Sequence, residues 1–421
     1  MSGQPYPSMD TRKEIVFVRH AESQANIEGI WQGRFDGPLS QTGEASLEAL
    51  GRRLSSWGFD AVISSPLSRA RRTAGAFADE VEIHDDLIEI DLGKWEGMHF
   101  TDVQEKHGDQ LQEAIETRTL PMGGSGETLT QVGERALRAV DRIFDLMADD
   151  ERVAVVTHGG FMQAVLNRHL AGDGRRAHAF TANTGITRIV HQFGRPRLAS
   201  FNDTGHLGPI PEVVDAHVRD GDKVLTLVRH GRTQANLERR WQGRGDWDLD
   251  DVGHRQAEAL GQWYGRHPTV YTSPLKRAAS TAARVAMNGV VSVDDFMEIH
   301  MGEWEGLTTE EIAERFPGVM EKIYRDGNDL PRGTSGETWA QLTARFSGAL
   351  AALKHAEEGL TVAVAHGGAI RSYVSSLTKT RDTHSESLFT PANTSVTHIA
   401  MTERGPEILD YSVSTHLESL Q

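Results

Sequence analysis

The chain has 421 residues, 38% of them hydrophobic and 25% charged, with a net charge of −16 and no cysteine. That length exceeds one ordinary core and predicts two domains of about 200 residues, in a composition typical of a soluble globular protein, with no apolar run near the roughly 18 residues of a membrane-spanning helix. The missing cysteines exclude disulfides, thiolate nucleophiles and Cys-ligated zinc, and the acidic balance disfavours nonspecific binding to nucleic acid or an anionic membrane without excluding a small anionic substrate.

The N-terminal MSGQPYPSMDTRKE (1–14) lacks the apolar core of a signal peptide, which predicts a cytoplasmic protein. Apolar runs then predict strands near 14–19, 61–64, 82–87, 153–157, 186–192 and 197–202. The same series returns near 223–229, 270–273, 291–296, 361–365, 395–401 and 406–412. IVFVRHAESQAN at 15–26 matches TLVRHGRTQAN at 226–236, and SSPLSRARRTA at 64–74 matches TSPLKRAASTA at 272–282. LIEIDLGKWEG at 87–97 matches FMEIHMGEWEG at 296–306, and VAVVTHGG at 153–160 matches VAVAHGG at 362–368. The offset stays close to 210, as from His20 to His230, which marks a duplicated domain and not a solenoid. The domains are expected at 1–207 and 223–421. The segment 208–222, GPIPEVVDAHVRDGD, has no partner in the other copy and reads as a linker.

Between the strands the spacing is helical: Leu47, Leu50 and Leu54, and likewise Ala257, Leu260 and Tyr264, fall at i, i+3, i+7. Runs such as IVFV and VAVV suit central strands covered on both faces. The expected fold class is α/β, as two tandem three-layer α/β/α sandwiches, each with a mostly parallel central sheet. Ligands in such folds bind at the carboxyl ends of the strands.

Arg19 and His20 follow directly on the first strand, and Arg229 and His230 on its counterpart. His158 and His366 also follow strands, each ahead of two glycines that let the chain turn into a helix whose N-terminal N–H groups face an anion. Two histidines and an arginine converging at strand ends make a phosphate-site arrangement. Each copy adds an Arg in a Ser-Pro-Leu-x-Arg-Ala segment (Arg69, Arg277) and a Glu ahead of Gly-x-Trp-Glu-Gly (Glu89, Glu298). On these motifs the sequence resembles the histidine phosphatase superfamily, also called phosphoglycerate mutase-like, over nearly all of both halves.

The resemblance implies that His20 and His230 are nucleophiles and that Glu89 and Glu298 act as general acid and base. It implies that Arg19, Arg69 and His158, with Arg229, Arg277 and His366, hold the phosphoryl oxygens in place of a metal ion. Asn26 and Asn236 are further phosphate contacts, and Glu127 and Glu337 give support near the site. No metal or cofactor is expected: the chain has no Asp-rich cluster, no H-E-x-x-H, and no G-x-G-x-x-G after either first strand. Two departures stand out. The first copy reads Arg-His-Ala, with Ala21 where the second has Gly231, and Ser46 stands where the second has Gln256, a position expected to lie remote from the chemistry. Trp31, Trp95, Trp241 and Trp304 are expected to pack and not to stack on substrate.

The expected function is a metal-independent phosphatase that hydrolyses phosphate monoesters of small metabolites through a phosphohistidine, with two complete sites. A phosphoglycerate mutase would return the phosphoryl group to its substrate, and related mutases carry a long basic lid. Here the corresponding regions 98–125 and 307–335 are mixed in charge, each an acidic amphipathic helix followed by a Pro/Gly-rich loop. They also differ most between the copies, which suggests different substrates. A protein phosphatase, or a binding module with one site inactive, is the remaining alternative; that both copies keep all five groups argues against inactivity.

Overall fold

The computed structural model describes residues 12–170, 177–192, 195–324, 326–353, 359–378 and 387–420, so the N-terminal stretch read above lies outside it up to residue 11. The chain divides into two compact units, Met1–His169 with Phe180–Leu207, and Leu170–Ala179 with Gly208–Gln421.

In the first unit β1 (Lys13–Arg19), β2 (Ala61–Ser64), β3 (Glu82–Ile83), β4 (Arg152–Thr157), β5 (Ile186–Gln192) and β6 (Arg195–Asp203) form a sheet in the order β3-β2-β4-β1-β5-β6. β1 lies parallel to β4, Ile15 opposite Val153, and antiparallel to β5, Val18 opposite Ile186. β2 is parallel to both of its neighbours, and β6 runs antiparallel to β5. The sheet is therefore mostly parallel. Successive residues of β1 point to opposite faces. Val16 and Val18 pack with Leu50 and Leu54 of the helix Gln41–Leu54, while Ile15 and Phe17 are buried on the other side.

The second unit repeats the plan with β7 (Lys223–Arg229), β8 (Val270–Thr272), β9 (Val290–Ser292), β10 (Leu360–Ala365), β11 (Val396–Thr402) and β12 (Gly405–Ile408), in the order β12-β11-β7-β10-β8-β9. β7 is parallel to β10 and antiparallel to β11. Leu260 and Tyr264 of the helix Asp251–Tyr264 pack against Val228, Val362 and Val364. In each unit the parallel pairing of the central strand brings two strand ends side by side: Arg19 lies opposite Thr157, and Arg229 opposite Ala365.

Several elements differ from the sequence expectation. The strand expected over 82–87 is only two residues long and gives way to a 3-10 turn, Asp85–Leu87, which sends Leu87 into the core instead of along the sheet. β9 likewise yields to Asp294–Phe296. β12 stops at Ile408, because the Asp410 carboxylate accepts the His398 N–H at 2.8 Å, where a ladder carbonyl would otherwise stand. Region 98–125 holds Phe100–Thr117, two helical stretches that meet at a kink at His107, and 307–335 holds two separate helices, Thr309–Arg315 and Val319–Tyr324, divided at Gly318 with φ of +76°. The segment 208–222 carries a helix, Glu212–Arg219, whose Val214 is buried with Val224 and Leu409. Trp95 and Trp304 are buried, with ring centroids 5.9 and 6.2 Å from Trp31 and Trp241.

Leu50 and Leu260 are fully buried at matching places in the two cores. Each Leu→Ala change is expected to cost about 2–5 kcal/mol of its own unit's stability. Urea unfolding followed by circular dichroism measures this as a lowered midpoint.

Candidate active site

The arginine and histidine that end each central strand are held by main-chain groups. The His20 N–H donates to Thr157 O at 2.9 Å and the His230 N–H to Ala365 O at 3.0 Å, so the nucleophile candidates sit where β1 meets β4 and β7 meets β10. His20 Nδ1 lies 2.7 Å from the Ala21 carbonyl, and His230 Nδ1 lies 2.7 Å from that of Gly231. A carbonyl only accepts, so Nδ1 carries the proton and Nε2 keeps its lone pair. Alanine at position 21 makes the same contact as glycine at 231. Arg69 Nε donates to His20 Nε2 at 3.3 Å, which aims that lone pair into the cluster.

The four arginines are anchored by backbone carbonyls. Arg69 donates to Phe35 O and Gly33 O, both at 2.8 Å, and Arg277 to Gly245 O at 2.7 Å and Gly243 O at 2.8 Å. Arg19 donates to Thr181 O at 2.5 Å and Arg229 to Pro391 O at 2.6 Å. The closest carboxylate to Arg69 is Asp36, at 3.8 Å. Burial lowers the pKa of Arg19 and Arg69, and brings Arg229 and Arg277 to about 10, so all four are cationic at neutral pH.

His158 and His366 are fully buried, their rings 5.1 Å from those of His20 and His230, and their Nε2 atoms lie 2.7 and 2.8 Å from the hydroxyls of Ser65 and Ser273. Burial first, then the neighbouring arginines and, for His158 and His366, the facing histidine, holds all four imidazoles well below the usual range, and so neutral. Among the described residues, Arg19 Nε, Arg229 Nε, His158 Nδ1 and His366 Nδ1 are buried without a hydrogen-bond partner. Buried polar atoms are ordinarily paired. These four recur at the same places in both copies, as groups that face a bound anion would.

Glu89 and Glu298 lie close enough to this cluster to act on its arginines. Glu89 accepts the N–H groups of Gly160 at 3.0 Å and Phe161 at 3.1 Å, the first turn of the helix Gly159–Leu170, and Glu298 accepts that of Gly368 at 2.8 Å. A Cβ at Gly160 would lie 2.6 Å from Glu89 Oε1 and one at Gly368 2.5 Å from Glu298 Oε1, so glycine is what lets carboxylate and helix meet. Asn26 Oδ1 accepts from Ser23 N at 3.1 Å and Asn183 Nδ2 at 3.4 Å, leaving its own amide nitrogen to be turned outward; Asn236 is held alike by Thr233 and Asn393. Glu127 and Glu337 stand apart from the histidines, bound to Arg135 and Arg34 and to Arg345 and Arg244.

Residues that sequence reasoning missed hold this geometry from behind. Asn183 and Asn393 donate to the carbonyls of His20 and His230 at 2.8 and 2.9 Å. Thr73 and Thr281 accept from Ala21 N and Gly231 N at 2.9 and 3.0 Å. Their recurrence in the matched segments ANTGITRI and ANTSVTHI, SRARRTA and KRAASTA, was the available signal. Gln256 was expected to lie remote from the chemistry, yet its Oε1 accepts the Arg232 N–H at 2.9 Å, two residues beyond His230, while Ser46 turns to Gly43 O. The serine is too short to make that reach. No group of three or more His, Asp or Glu among the described residues is arranged to hold a metal ion, and no described helix is long and apolar enough to cross a membrane.

The model of the histidine phosphatase superfamily (branch 1) matches residues 15–204 and again 225–414. A metal-independent phosphoserine phosphatase of Arabidopsis thaliana is 34% identical over 215 residues, 49% of this chain and 88% of that protein. Phosphoserine phosphatase 1 of Hydrogenobacter thermophilus is 31% identical over 209 residues, 48% of this chain and 98% of that protein. A 2-carboxy-D-arabinitol-1-phosphatase of Triticum aestivum is 30% identical over 269 residues, 61% of this chain and 54% of that protein.

The neutral buried histidines predict an acid-sensitive fold. Their folded pKa values lie below the roughly 6.5 of an unfolded imidazole, so below that pH the unfolded chain binds more protons and stability falls as pH falls. Calorimetry in phosphate-free buffer is expected to give a Tm that drops steadily from about pH 7 to about pH 5. A flat Tm over that range would contradict neutral burial.

Proposed function

The chain belongs to the histidine phosphatase superfamily, with one match in each half, and from that premise we propose that it hydrolyses phosphate monoesters at two working sites, each through a phosphohistidine and without a metal ion. The observation that carries this reading is the Nε2 lone pair of a neutral buried histidine, beside arginine N–H groups and a second histidine's Nδ1 that have no partner in the protein.

In the first site His20 Nε2 attacks phosphorus as the bond to the leaving oxygen breaks. The carboxyl of Glu89 gives its proton to that oxygen, and the alcohol departs. Arg19, Arg69 and His158 hold the equatorial oxygens as charge spreads over them, with Asn26 as a further contact. Water then attacks phosphorus, losing its proton to Glu89 as the P–N bond breaks, which releases orthophosphate and restores the enzyme. His230, Glu298, Arg229, Arg277, His366 and Asn236 take the same parts in the second site. On this reading the domains run 1–207 and 223–421, with 208–222 between them, its helix packed into the second unit. Small phosphorylated metabolites in the cytoplasm are the substrates this reading favours, and the relatives named for phosphoserine make it the first to try.

Phosphate release from phosphoserine, phosphoglycerates and an aryl phosphate, with EDTA present, tests the reading in the full chain. His20→Ala and His230→Ala are each expected to leave part of the release, and the double variant about 1,000-fold less or lower. Release abolished by EDTA, or surviving in the double variant, would overturn it; exchange of phosphoryl groups between phosphoglycerates without release would favour a mutase.

A further inference from the structure

The helix that follows the second histidine differs between the two sites at one position that matters for charge. In the second site it is Arg371, half-buried, on the helix Gly367–Leu377. In the first site the matching residue is Gln163, whose amide donates to Asn167 at 3.3 Å. We propose that Arg371 selects, for the second site, phosphate monoesters whose leaving group carries a carboxylate, a demand the first site does not make. This rests on the reading that both sites hydrolyse phosphate monoesters.

Helical register aims Arg371 at the site. It lies three and four residues after Gly368 and Gly367, on the face where a Cβ would strike Glu298 and approach Arg229 Nε to 3.1 Å. Helical side chains lean toward the N-terminal turn, which here is the turn that faces the phosphate cluster. The guanidinium sits 4.9 Å from the centroid of Trp339, the first residue of the helix Trp339–Ala351. That ring fixes the plane of the fork by a cation–π contact without spending its hydrogen bonds. No carboxylate lies within ion-pair distance of Arg371 among the described residues, and its Nε is buried without a partner. Its charge reaches Arg229, where it adds to the lowering of that group.

An oriented, half-buried guanidinium with no anion of its own is a receptor for a planar carboxylate, which it can bind through two parallel hydrogen bonds. It stands beside the phosphate cluster and not within it, so the anion it takes belongs to the part of the substrate that leaves. The first site has Leu129 in place of Trp339, packed against the cluster that holds Ile90, and so lacks both the charge and the ring that orients it. It has Phe180, 60% exposed, where the second site has Thr390, next to the carbonyl that anchors Arg19. The first site thus has a neutral amide where the second has a cation.

Phosphoserine and phosphoethanolamine differ by one carboxylate, and the ratio of their kcat/KM values reads the proposed contact directly. The full chain carrying His20→Ala isolates the second site. Its ratio is expected to favour phosphoserine, and Arg371→Gln to lower that ratio by about tenfold or more, mainly through KM for phosphoserine. Arg371→Lys is expected to keep part of it, since the charge stays while the fork is lost. In the His230→Ala chain, Gln163→Arg is expected to raise the ratio of the first site. A ratio near one before any change at 371, or an equal fall for both substrates in Arg371→Gln, overturns the proposal while leaving hydrolysis itself standing. No release from either substrate or from an aryl phosphate in the His20→Ala chain overturns the two-site reading and the proposal together.

Discussion

The guanidinium groups of Arg69 and Arg277 hang from pairs of backbone carbonyls, those of Gly33 with Phe35 and of Gly243 with Gly245, and the rest of each site depends on that attachment. A buried cation is costly to keep out of water. Carboxylate partners would offset the cost but would also cancel the charge. Carbonyl dipoles hold the fork in place and leave its charge to act outward. The same choice is made at Arg19 and Arg229, and it helps keep the neighbouring imidazoles neutral: burial first, then the charge of two arginines, disfavours the protonated ring. A neutral imidazole with its Nδ1 proton given to a carbonyl is the form that has a lone pair to offer.

Much of this was legible in the sequence because the chain states it twice. Two copies in register separated the strand ends that carry Arg-His and His-Gly-Gly from the remaining histidines, and the named histidines, arginines and Glu89 and Glu298 meet in one cluster per unit, with Glu127 and Glu337 behind it, bound to Arg135 and Arg345, which donate to the carbonyls of Glu89 and Glu298. What the sequence did not carry was geometry set by single polar atoms. Asn183 and Thr73 occupy matched segments, but nothing in their spacing says that they hold the main chain at His20 and Ala21. Gln256 was misjudged for the same reason: one side-chain oxygen reaching a loop N–H leaves no periodicity to read. The short β3 and β9 were misread because an apolar run that turns inward after two or three residues has the same composition as one that continues as a strand.

The two sites share a floor and differ in their walls. The floor is built from strand ends and from side chains locked to the main chain, so a change there disturbs several contacts at once. The difference argued above lies on the helices that follow His158 and His366. There a residue such as Gln163 or Arg371 can change without altering how the phosphoryl group is held. Such a division lets a duplicated domain keep its chemistry while its choice of substrate moves.

The carboxylates of Glu89 and Glu298 also satisfy N–H groups in the first turn of the helix behind them. Removing one would leave those donors unpaired at a partly buried helix start, with a loss of stability that has nothing to do with turnover. After a gene duplication the spare copy is usually free to decay, since its sibling covers the activity. Here decay at this position would weaken the fold before it relieved any selective burden, so the architecture itself slows the drift of either half toward an inert relic.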